Sequence, residues 1–218
     1  LSPEPMACAI APSDSTLQRL LSPASLDSLC RYVSSFEVDG SETVKALSRM
    51  KPAMLDAFLE VRRSGASTDM SPDIALQHRA RAMGREVRAL ETAAQQMCML
   101  MNLPISEQLE SLMESVRAPE AAQAASDSLV AAYHRQDLAA IEHLLAHEMG
   151  QAYAERMLYA RNRAWTAVLV PEMRRRSVLV AVGAGHLVGT QGLPKLLRDA
   201  GLDVSPVGGS ARQPEQGR

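Results

Sequence analysis

Cysteine is scarce in this sequence. It occurs at Cys8, Cys30 and Cys98 alone, an odd count without a C-x-x-C pair, which excludes a disulfide scaffold and a zinc knuckle but leaves room for one bridge. An excess of positive charge is also lacking: 23 Lys and Arg face 25 Asp and Glu, for a net charge of −2. Such a chain has no electrostatic footprint for gripping a phosphate backbone, and no nucleic-acid partner is expected. Apolar runs of the ~20 residues needed to cross a bilayer are missing, because Arg, Glu or Gln interrupt every apolar segment. No membrane span is expected. A starting methionine is absent too; the chain opens at Leu1, as processing or truncation would leave it, so the want of a signal peptide says nothing about the compartment.

What is present reads as a globular protein. Apolar residues make up 46% and charged residues 22% of 218 positions, outside the composition range of disordered chains and long enough for a core. The expected division is an irregular segment over 1–15, a single domain over 16–207 and an unfolded tail over 208–218, rich in Gly, Gln and Arg. There is no internal repeat.

Successive amphipathic helices are expected from Ala24 to about Ala146, with Gly, Pro and Ser at the breaks. Leu26, Leu29, Cys30 and Val33 fall at i, i+3, i+4 and i+7 behind N-cap candidates at Ser22 to Ser25. A second helix follows Lys51-Pro52 and ends near Ser64-Gly65, and a third runs from Ile74 to Met83 and stops at Gly84. Glu86–Leu90 reads as a short strand, after which Glu91-Thr92 forms a loop. Helices resume over Ala93–Met101, Ser106–Arg117, Glu120–Arg135 and Asp137–His147. The longest spans about Gln151 to Arg176, with Tyr153, Met157, Ala160 and Ala164 along one side and a kink expected at Pro171. Its Arg174-Arg175-Arg176 end suits a helix C-terminus.

The period then changes. Ser177–Val182 is a continuous apolar, β-branched run, as in a strand buried on both faces, and Gly183-Ala184-Gly185-His186 ends it in a turn. Gly192–Ala200 makes a short helix closed by Gly201, and Leu202–Val207 offers another strand. The fold class read from this pattern is α/β: a mostly helical chain with a small sheet, a C-terminal β-loop-α-β unit and a large helical insertion.

Chemistry concentrates at His186, because ligand sites of open α/β sheets lie at the carboxyl ends of the strands and Gly183 and Gly185 let backbone approach a ligand closely. The competing reading is a turn histidine satisfied by backbone. A dinucleotide fingerprint starting at Gly183 fails, since Val188 stands where its third glycine belongs. His143 and His147 share a helix face at i, i+4, but Leu144 replaces the glutamate of H-E-x-x-H, which favours a solvated face. Glu91 follows a strand and would reach the same sheet edge as His186, facing one cleft with it; the plainer alternative is an N-cap or surface carboxylate.

Three segments together resemble the TraB/GumN (TraB/PrgY/GumN) family, a mainly bacterial group related to the Tiki metalloproteases. They are Arg161-Asn162-Arg163-Ala164-Trp165 with Val180 to Gly189, Gly192-Leu193, Leu196-Leu197 and Gly201; Leu90-Glu91-Thr92 with Gln96; and Thr16-Leu17 and Leu21-Ser22 through Lys51-Pro52 to Asp73. The resemblance implies a peptidase-like hydrolase that uses a divalent metal (Mn, Co or Zn), two G-x-x-H motifs and a glutamate. Gly183 to His186 is the second motif; no G-x-x-H precedes Gly183, so the site is incomplete in this chain as it stands. It further implies His186 and Glu91 as catalytic residues and metal ligands, Arg161, Asn162, Gly183 and Gly185 as substrate-facing residues, a peptide or protein substrate, and a periplasmic, secreted or envelope-associated location. A non-catalytic protein of the same fold that sequesters a peptide is the alternative.

Overall fold

The computed structural model describes residues 7–65 and 71–207. The tail expected over 208–218 lies outside them. The chain divides into two compact units, residues 1–140 and 141–218.

Unit 1 is helical: α1 (Leu17–Leu20), α2 (Pro23–Ser34), α3 (Gly40–Ala46), α4 (Pro52–Ser64), α5 (Pro72–Ala82), α6 (Ala93–Met101), α7 (Ile105–Arg117) and α8 (Pro119–His134). Local chemistry sets most boundaries. Ser22, Asp39 and Ser71 accept from backbone N–H groups three residues on, and Thr92 and Gln95 form a reciprocal capping box, satisfying donors that a helix start leaves orphaned. Gly65 stops α4 in the left-handed region at φ 60°, a conformation glycine adopts without a Cβ penalty.

Leu17, Leu29, Val33, Val44, Leu55, Leu59, Leu112, Met113 and Val116 form the core of this unit. They come from α1, α2, α3, α4 and α7, each helix turning one apolar stripe inward. Polar side chains tie α4, α6 and α7 together. Gln108, buried, donates to the Met101 and Leu103 carbonyls at 3.1 and 2.7 Å and accepts from Ala53 N–H at 3.2 Å. Lys51 donates to the Met101 carbonyl at 2.9 Å, placing a cation at the C-terminus of α6 where the helix dipole favours it. A disulfide joins Cys8 to Cys98 and leaves Cys30 as a free thiol.

In unit 2, α9 (Leu138–Glu148, which begins in unit 1) is followed by a long helix in three pieces: α10 (Gln151–Ala154), a π-helical turn (Glu155–Tyr159) and α11 (Ala160–Arg175). The π turn moves the buried stripe. An uninterrupted helix would continue the face of Tyr153 and Met157 through Ala160 and Ala164, yet those alanines are exposed and the buried positions after Ala154 and Met157 are Asn162, Trp165 and Leu169. The step from Met157 to Asn162 is one residue longer than a helical turn, which is what a π turn inserts. Helix α11 runs on through Pro171. Its basic end is paired locally: Arg176 bonds Glu172 at 2.6 Å and Arg174 donates to the Ala200 carbonyl at 2.9 Å. A 3₁₀ turn (Ala184–His186) and α12 (Leu193–Asp199) complete the unit, with Gly201 at φ 84° closing α12.

The α/β expectation is corrected. Among the described residues there is no sheet, and the one β-bridge joins Ile10 to Met50. Among the described residues, Glu86–Leu90, Ser177–Val182 and Leu202–Val207 lie outside helix and join no β-ladder. β-Branched residues favour extended backbone by themselves. A strand also needs a neighbour to take its N–H and C=O groups, and short extended pieces without one do not make a sheet. Leu179, expected inside, is 83% exposed.

Candidate functional site

The turn Gly183–His186 follows the non-helical segment Ser177–Val182, and His186 N–H closes it onto the Gly183 carbonyl at 2.9 Å. The His186 side chain is 7% exposed. Its Nδ1 lies 2.7 Å from Asn162 Oδ1, and its ring centroid is 4.5 Å from that of Trp165. Asn162 is fully buried; its Nδ2 donates to the Gln191 carbonyl at 2.7 Å and sits 3.5 Å from the His186 carbonyl. The main chain closes the turn while the imidazole is held by a side chain from α11.

Arg161 stands one turn before Trp165 on the same helix, so its guanidinium can lie over the indole, 4.7 Å from the ring centroid. It also donates to the Met157 carbonyl at 2.8 Å, an acceptor within the π turn. Arg163 bonds Glu155, the first residue of that turn, and donates to Gln191 Oε1 at 3.4 Å. This bond, more than the accompanying charge attraction, holds the Glu155 carboxyl below the usual carboxylate range. The Trp165 indole N–H is buried with no hydrogen-bond partner among the described residues. Such a donor calls for an acceptor, either water or a ligand atom.

The glycines contribute differently. A Cβ on Gly185 would sit 3.1 Å from Leu145 Cδ1 and 3.6 Å from Leu158 Cδ2, so close packing accounts for that glycine. A Cβ on Gly183 would meet only His186 Cδ2 at 3.9 Å. Unit 2 thus brings together Arg161, Asn162, Gly183, Gly185 and His186. Glu91 belongs to unit 1, half-buried and immediately before the Thr92 cap of α6; the plainer N-cap reading is off by one position, since Thr92 is the cap. His143 and His147 are exposed on α9.

A model of the TraB/PrgY/gumN family matches residues 3–206. The chain belongs to that family. No curated protein and no solved structure matches it. In this TraB/PrgY/gumN protein, sequence reasoning had singled out His186 and Asn162 but gave Trp165 and the Gln191 carbonyl no role. A signal for Trp165 existed in the spacing: it lies i+3 from Asn162 and i+4 from Arg161, on one helix face. The Gln191 carbonyl had none, being a backbone atom brought close by folding.

Proposed function

We propose that this TraB/PrgY/gumN protein is a peptidase-like hydrolase in which unit 2 supplies the working imidazole, His186. The observation that carries the reading is the arrangement of that ring: buried, held at Nδ1 by Asn162, and set against Trp165. An imidazole in such a place can hold or move a proton during attack of water on a peptide carbonyl. The orphaned Trp165 N–H beside it is suited to an acceptor atom of substrate.

The family resemblance implies a divalent metal, Mn, Co or Zn. Among the described residues no group of three or more His, Cys, Asp or Glu could hold one, whereas hydrolytic metals usually take about three protein ligands. The donors described do not complete such a site. The family resemblance proposes Glu91, in unit 1, as the carboxylate that moves the proton. The Cys8–Cys98 bridge supports a periplasmic, secreted or envelope-associated location, because disulfides persist in oxidising compartments.

Peptide capture without hydrolysis is the second reading, and Ser177–Val182 favours it. Its backbone makes no hydrogen bond among the described residues, so it can accept an extended peptide as an added strand. The test is a mixed peptide library incubated with the full chain, with and without Mn²⁺, Co²⁺ or Zn²⁺. Cleavage that disappears in folded His186→Ala supports the hydrolase. Peptide binding without cleavage, unchanged in His186→Ala, supports capture instead.

A further inference from the structure

We infer that Asn162 is a positioning residue that fixes neutral His186 as the Nδ1–H tautomer, leaving the ring's lone pair on Nε2. The Gln191 carbonyl oxygen can only accept, and it lies 2.7 Å from the Asn162 amide nitrogen. Turning the amide over would set Oδ1 against that oxygen, two acceptors at hydrogen-bond distance with no proton between them. The His186 carbonyl, 3.5 Å from the same nitrogen, opposes the turn as well.

The amide is therefore oriented by backbone, and its oxygen faces His186 Nδ1 at 2.7 Å. An amide oxygen has lone pairs and no proton, so Nδ1 must donate. A neutral imidazole carries one N–H, which places the lone pair on Nε2. Asn162 reaches this position because the π turn advances the helix register by one residue; in an uninterrupted helix the buried stripe would carry neighbours of Asn162 instead. A hydrogen bond to the far nitrogen is how proteins commonly orient a working histidine.

This inference rests on the proposed role of His186 and states which atom serves it: Nε2 takes the proton or meets the electrophile. It also moves Asn162 from the substrate-facing group to the support of the imidazole, since a fully buried amide whose oxygen and nitrogen both have partners has little left to offer substrate.

Long-range ¹H–¹⁵N correlation spectra of the ¹⁵N-labelled full chain, recorded above the titration range of the ring, test it directly. His186→Gln identifies the His186 signals among the five histidines. The expected result is a protonated, pyrrole-like Nδ1 and a pyridine-like Nε2 in the unaltered protein. In Asn162→Ala the two signals should move toward each other as both tautomers exchange. A proton on Nε2 in the unaltered protein would overturn the inference whether or not the variant folds; so would an unchanged tautomer in folded Asn162→Ala. The expected tautomer in a chain that cleaves no peptide would support this inference while overturning the hydrolase reading, so the two fail separately.

Discussion

Arg161 and Trp165 stack across one turn of α11, with the guanidinium carbon 4.7 Å from the indole centroid, and the same indole lies 4.5 Å from the His186 ring. Removing either stacked group should therefore be felt at His186. For Arg161→Ala we expect a loss of about 0.5–1 kcal/mol, the usual worth of a partly exposed cation–π contact. Trp165 is the single tryptophan, so its fluorescence during urea unfolding reports this loss directly. Trp165→Leu should cost about 2–3 kcal/mol, less than full truncation of a buried aromatic, read by far-UV circular dichroism.

The π turn makes a sharper prediction. Inserting one alanine between exposed Arg156 and Met157 adds a residue beyond the one the π turn accommodates, which would rotate Asn162, Trp165 and Leu169 off the stripe continued from Ala154 by roughly a quarter turn. We expect unit 2 to lose more than about 4 kcal/mol, the range of the severest single changes. An insertion variant with unaltered tryptophan emission and urea midpoint would show that this register is dispensable.

Gln108 carries three hydrogen bonds between α4, α6 and α7. Gln108→Leu fills nearly the same space but strands the Leu103 carbonyl and the Ala53 N–H, while the Met101 carbonyl keeps Lys51. A cost of about 2–4 kcal/mol is expected, since each buried group left without a partner carries its own desolvation penalty. Thermal unfolding followed by circular dichroism measures it.

The native protein should show one reactive thiol toward a disulfide reagent, and three after reduction and unfolding. Breaking the Cys8–Cys98 bridge, which spans 90 positions, should lower stability by about 4–5 kcal/mol on the loop-entropy estimate. Burial, followed by the charges of Asp27 and Asp39, pushes the Cys30 thiol up. Alkylation of Cys30 needs the thiolate, so at neutral pH it should run slower than that of free cysteine and accelerate only as pH rises past the ordinary thiol value. A faster reaction than free cysteine would contradict this assignment.

How much was legible in the sequence follows the range of the forces involved. Helix starts and stops rest on side chains within three or four positions, and Pro52, Ala93–Met101, Arg117 and Gly201 mark real boundaries. The end of the long helix before Ser177 was likewise readable, from the change of period there. Pairing was not, because a strand's partners are supplied by distant chain and leave no mark on the strand itself; the expected sheet failed on this point. The choice of Cys8 and Cys98 over Cys30 was also tertiary, decided by which sulfurs the helices bring together. At the site, the sequence by itself determined His186 in its glycine turn and Asn162 near a tryptophan. Only the tertiary structure decided that a π turn would carry Asn162 to the buried face and that the Gln191 carbonyl would orient its amide, since both depend on where backbone atoms meet after folding.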